Sequence, residues 1–279
     1  MEFEMHPLSL AFLTIPDAGP VEAIRIAARA GFTHVGLRLL PATASEPGYP
    51  LSDDDGLLRE TQAALRDTGV RVGDVEIVHL KPDTEIADCR PFLDRVAMLD
   101  ARYVTVVGDD ELEARLIDNF ARLCEMAAPL GITANLEPMT WTRTACLAQA
   151  LRVVEQACQP NVGILVDALH FHSAGSSLDE LRTLPASWLP LAQICDAPLD
   201  FARDPDTVRQ LARTARLFPG EGELDLRSFL SRIPESAIIS VEVPNREMLA
   251  CLTPMQRAER AWRSAVNLLE MSGCLGGER

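Results

Sequence analysis

The 279-residue sequence contains no CxxC pair, and its seven cysteines (Cys89, Cys124, Cys146, Cys158, Cys195, Cys251 and Cys274) are scattered and odd in number. Neither a disulfide framework nor a zinc knuckle is written that way, and reduced thiols in a cytoplasmic protein are the expected reading. GxSxG, P-loop and GxGxxG motifs are missing, which removes the usual signatures of serine hydrolases, nucleotide phosphate sites and dinucleotide folds. No apolar run approaches the roughly 18–20 residues that cross a bilayer. The opening MEFEMHPLSLAF is acidic, with no basic stretch ahead of a long apolar one, so no signal peptide is expected. Basic residues are scarce: 26 Lys and Arg against 41 Asp and Glu leave a net charge of −15. This argues against nucleic acid as a partner, because it is bound by cations that neutralise phosphates. It does not argue against small substrates, since a local patch can oppose the global charge.

What is present is ordinary globular material, 47% hydrophobic and 24% charged. A chain this long buries roughly three quarters of its unfolded surface and needs no staples. Eight short apolar runs alternate with amphipathic stretches: residues 9–13, 34–39, 70–80, 103–108, 132–138, 162–168, 191–197 and 238–244. Strands separated by helices pair in parallel, because parallel neighbours need a crossover. Eight repeats of this kind predict a closed (β/α)8 barrel, a TIM barrel, as one domain over residues 1–279. An open doubly wound sheet would carry a glycine-rich phosphate turn after its first strand, where this chain has TIPDAGP.

Helix punctuation supports the alternation. Residues 20–30 show helical apolar spacing and stop at Gly31; residues 111–130 stop at Gly131. A helix over 178–184 follows Ser176 and Ser177, good N-cap residues, and 255–271 is the expected last helix before a fraying GCLGGER tail. The longer connections, such as 41–55 and 198–206, follow strands, and PGEG (219–222) reads as a turn into a helix.

In such a barrel the chemistry sits at the C-terminal ends of the strands. Polar residues interrupt four successive strand ends: Glu137 in NLEP, Asp167 in LVDALH, Gln193 in AQICDAP and Glu242 in SVEVP. Three carboxylates and an amide converging on one point repel one another unless a cation lies between them. Oxygen donors suit Mg²⁺ or Mn²⁺, with Co²⁺ as a further candidate.

With these residues the chain resembles the xylose isomerase-like barrel superfamily, the sugar phosphate isomerase/epimerase group that includes inosose and dehydroshikimate dehydratases. The resemblance runs from SLAFLT through SVEVP and includes DALHFHSAG and FPGEGELDL. It implies one divalent metal per chain held by Glu137, Asp167 and Glu242, with Gln193 at a position where the group carries histidine. It also implies catalytic roles for Glu137 and Glu242, one removing a proton alpha to a carbonyl and the other returning it, while the metal polarises the carbonyl and stabilises the enediolate. His170, three residues after Asp167, falls where the group places a substrate-contacting histidine.

Other candidates come from the residues alone. Arg38 either grips a substrate oxygen with its fork of donors or pairs with Glu76 in the barrel mouth. Glu76 and His79, with Lys81 after them, end the third strand and supply one or two substrate-facing groups. Asp196 is expected near the substrate, orienting a ligand. His172 and Trp141 are secondary candidates, and Cys195 reads as a buried filler. The leading functional expectation is a metal-dependent isomerase or epimerase of a small polyhydroxy carbonyl compound. A dehydratase of a cyclic polyol ketone or a dehydroshikimate-like acid shares its first step, and a non-catalytic sugar- or metal-binding barrel is the alternative of another class. The expected partners are a small sugar, polyol or keto-acid, with no nucleic acid and no membrane; homo-oligomers are common among barrels of this size.

Overall fold

The computed structural model describes residues 6–42 and 48–273. Its strands are β1 (Leu8–Leu10), β2 (His34–Arg38), β3 (Arg71–Leu80), β4 (Tyr103–Gly108), β5 (Thr133–Glu137), β6 (Val162–Ile164), β7 (Val166–Asp167), β8 (Leu191–Ile194) and β9 (Ile238–Val241). They form one parallel sheet in the order β6-β5-β4-β3-β2-β1-β9-β8-β7. Its two ends, β6 and β7, are consecutive pieces of a single expected strand, so the ring closes through Leu165. That residue breaks the ladder while its N–H still donates to the Leu136 carbonyl at 3.1 Å. The fold is the TIM barrel expected from the alternation.

The first run differs from expectation. It pairs only over Leu8–Leu10 and then turns into a 3-10 helix, Phe12–Thr14. The cause is Thr14, whose hydroxyl donates to the Val241 carbonyl at 2.9 Å and accepts from Val243 N–H at 2.9 Å, curling the chain over the end of β9.

The helices follow their punctuation. Pro20–Ala30 ends at Gly31, where φ is 106° and an added Cβ would lie 2.7 Å from the Trp262 indole nitrogen; only glycine meets both demands. Ser177 accepts from the Asp179 and Glu180 N–H groups to start Leu178–Thr183. Glu113–Ala127 continues as a 3-10 turn to Gly131, and the last helix is Pro254–Gly273. The GCLGGER tail lies almost wholly outside the described residues. One large apolar cluster, including Leu37, Val104, Leu123 and Phe229, fills the space between strands and helices.

Strand residues two apart face the same way. Counting back from side chains that line the mouth therefore gives the layers inside the ring. Leu165, Leu191 and Ile238 with Tyr103 form a separate apolar plug at the bottom. Above it lies a fully buried polar layer of Ser9, Asp74, Thr105, Asn135 and Ser240. Gly163 leaves room for it, since a Cβ there would collide with the Asn135 side-chain oxygen. The uppermost layer carries the candidate chemistry.

Candidate functional site

The strand ends open into a cavity of about 340 Å³ lined by Arg38, Glu76, His79, Glu137, His170, Gln193 and Glu242, among others. This is at the small end of ligand sites, which run from roughly 300 to 1,000 Å³. Glu137 is the last residue of β5, Asp167 the last of β7, Gln193 the third of β8, and Glu242 follows β9; all four are buried.

The residue that sequence reasoning missed is Arg216. It follows the helix Pro205–Thr214, three positions before the PGEG turn, where nothing but its neighbourhood distinguished it from the chain's other arginines. Its Nε donates to the Ala212 carbonyl at 2.8 Å. One terminal nitrogen donates to Asp167 Oδ2 at 2.6 Å and the other lies 3.1 Å from Glu242 Oε2. Asp167 Oδ1 accepts the His170 N–H at 3.0 Å as the N-cap of Ala168–Ser173, which explains the three-residue spacing of that pair.

Burial is the largest influence on all three carboxylates and raises each, and their partners then separate them. Glu137 stays well above the ordinary range because Glu242 and Asp167 add to the effect of burial. Glu242, partly offset by Arg216, is held at about 7. For Asp167 the guanidinium of Arg216 and the neighbouring His170 outweigh burial and bring it below the usual carboxylate value. Burial lowers His170 to about 4, so its ring is neutral at neutral pH; it packs edge-on to Trp141 with centroids 4.8 Å apart.

Of the two readings of Arg38, the ion pair is the one observed. Its Nε and a terminal nitrogen reach Glu76 Oε2 at 2.7 and 2.5 Å, and it lies over the Phe12 ring. Glu76 Oε1 and His79 Nε2 are buried without hydrogen-bond partners, and His79 is lowered to about 4 by burial and then by Lys81. Asp196, expected near the substrate, does not line the cavity. Its carboxylate accepts the N–H groups of Ala197, Gly220 and Leu224 at 2.9–3.0 Å, so it ties the PGEG turn to β8. Lys81 is exposed outside the cavity, His172 is held on the Ala168 carbonyl at 3.0 Å, and Cys195 is buried.

Among the described residues no three His, Cys, Asp or Glu side chains are gathered as a metal-ion site. The donor set that includes Gln193 nevertheless fits a hard dication. Gln193 Nε2 is 3.5 Å from Glu242 Oε1, leaving its own carbonyl oxygen buried and unpartnered. The Glu137 carboxylate is buried and feels the charges of Glu242 and Asp167. Arg38 and Glu76 cancel, and Arg216 against Glu137, Asp167 and Glu242 leaves an excess of two negative charges when all are ionised. Oxygen donors carrying that charge match Mg²⁺ or Mn²⁺.

Buried carboxylates, a carboxamide and an arginine thus stand at the strand ends of a parallel barrel, the end at which TIM barrels carry their functional groups. The family model for the xylose isomerase-like TIM barrel matches residues 24–271, and the chain belongs to that family. A 3-dehydroshikimate dehydratase of Pseudomonas putida is 31% identical over 170 residues, covering 60% of this chain and 26% of that protein. An inosose isomerase of Bacillus licheniformis is 27% identical over 176 residues, 57% of this chain and 59% of that protein. The matched stretch thus spans about a quarter of the first relative's length and under two thirds of the second's. Among solved structures, the IolI protein with a bound zinc atom superposes with a TM-score of 0.79 at 20% identity, over 95% of this chain and 99% of that one.

Proposed function

We propose that the protein is a divalent-metal-dependent isomerase or epimerase of a small polyhydroxy carbonyl compound, acting by proton abstraction alpha to the carbonyl. The observation that carries this reading is the pair of buried glutamates, Glu137 and Glu242, lining one small cavity with Gln193 and Arg216. Glu137, Asp167, Gln193 and Glu242 would hold the ion. When bound, it supplies a Lewis acid for the carbonyl oxygen. Glu137 and Glu242 exchange the proton, one taking it and the other returning it. Arg216 holds Asp167 and Glu242 in place and offers positive charge beside the reacting carbons. His170, neutral and braced by Trp141, presents its unpartnered Nδ1 to a hydroxyl. Glu76 Oε1 and His79 Nε2 offer further partners to hydroxyls.

Loss of a β-hydroxyl after the same first step makes a dehydratase the second reading. Gln193 favours it, because some dehydratases of the resembled group look similar at that position. Inosose and 3-dehydroshikimate, offered in D₂O with Mn²⁺ or Mg²⁺, separate the two by proton NMR. Exchange of the alpha proton without loss of water is expected for the isomerase, and exchange with a new unsaturated product for the dehydratase. Glu137→Gln and Glu242→Gln should each abolish exchange while melting as folded proteins. Full activity in either variant removes that glutamate from the mechanism, and no exchange with any ketone leaves the non-catalytic barrel.

A further inference from the structure

The cavity wall is charged in two zones. Its glutamates, Glu76, Glu137 and Glu242, are all buried. Two exposed arginines, Arg213 and Arg246, also line it, and no Asp or Glu that lines it is exposed among the described residues. This distribution runs against a chain with a net charge of −15. The two arginines are brought to one side of the mouth by a built contact. Ala215 and Asn245 form an antiparallel bridge, Arg216 N–H donates to the Pro244 carbonyl at 3.2 Å, and Asn245 Nδ2 donates to the Arg216 carbonyl at 3.0 Å. The segments carrying Arg213 and Arg246 are thereby stitched together, and Arg213 also lies 6.0 Å from the centre of the Trp141 ring.

A ligand entering this mouth meets a field with a direction. Its hydroxyl and carbonyl oxygens can reach the buried polar atoms, where Arg38 and Arg216 stand against the glutamates, while a negative group is attracted by the exposed guanidinium fork of Arg246 at the rim. Resting on the reading of this cavity as a site for a polyhydroxy carbonyl compound, we propose that the substrate carries an anionic group, a carboxylate or a phosphate ester, held at the rim by Arg246.

Titration calorimetry on the Mn²⁺-supplemented protein tests this with three probes: quinate, a cyclic polyhydroxy carboxylate; ribose 5-phosphate; and neutral myo-inositol. One anion is expected to bind about tenfold more tightly than myo-inositol and to weaken with added salt, and which one binds identifies the group. Arg246→Gln should weaken that anion about tenfold and leave myo-inositol unchanged, with Arg246→Lys between. Inositol binding as tightly as both anions, or an Arg246→Gln variant that holds the anion as well as the parent does, overturns the proposal while leaving the site reading standing. Binding of none of the three counts against the site reading itself and takes the proposal with it.

Discussion

Among the described residues Asp74 makes no ion pair. It is fully buried in the polar layer, its Oδ1 has no partner, and its Oδ2 meets only the Thr105 hydroxyl at 3.4 Å. Burial, then Glu76 and Glu242, raise it well above 3.8, so the folded state favours the neutral acid. The sign of the linkage follows. Its stabilising contribution is complete below the unfolded value near 3.8 and is lost as pH rises from there through the folded value. Asp74→Asn keeps the shape of the neutral acid and cannot ionise. Urea midpoints are expected to coincide with the parent's near pH 4 and to exceed them at pH 8; equal midpoints at both pH values would show that Asp74 is ionised in the fold. Arg216 is the opposite case, a buried cation with two carboxylates in contact, whose removal would leave Asp167 and Glu242 uncompensated.

At the scale of elements, Asp196 is the joint between β8 and the turn that follows the Arg216 segment. Three backbone N–H groups converge on one buried carboxylate, and hydrogen bonds to a charged acceptor are the stronger kind. Asp196→Ala is expected to cost about 2–4 kcal/mol in urea unfolding. It should also loosen Arg216, seen as faster amide exchange over residues 216–224; a loss below 1 kcal/mol would mean that the turn holds itself. The sequence made the strands and several helices legible because parallel strands and amphipathic helices write their period into the apolar residues, and because Gly31, Gly131 and Ser177 punctuate them. It also put Glu137, Asp167, Gln193 and Glu242 at strand ends, where the structure has them. Arg216 was not legible, since its role depends on a loop folding back across the mouth, and no local period encodes that. The three N–H groups that Asp196 accepts were not legible for the same reason. A polar residue just past a strand points either to the cavity or to the backbone of the next turn, and the sequence does not distinguish them. The pairing of Arg38 with Glu76 was one of two readings, and choosing between them required knowing the register of β2 against β3, which puts the two residues side by side.

For the molecule as a whole, the excess negative charge among the buried strand-end residues predicts a dependence on cations. After chelation and dialysis, Mn²⁺ at a hundredfold excess over its dissociation constant should add about 2.7 kcal/mol of stability, read as a rise in melting temperature. The rise should be abolished in Glu242→Gln. No shift with Mn²⁺, Mg²⁺ or Co²⁺ would leave the four strand-end residues without a metal to hold. The described residues contain no helix long and apolar enough to cross a membrane.

The proposed reacting groups are unevenly divided along the chain. Glu137, Asp167, Gln193, Arg216 and Glu242 all come from β5 onward, whereas Arg38 and Glu76, on β2 and β3, satisfy each other's charge. One half of the ring therefore behaves as a reactive cassette and the other as an interchangeable wall. Recombination between relatives at the loop before β5 would exchange the wall and leave the cassette whole. Such hybrids should keep their chemistry and change what they accept.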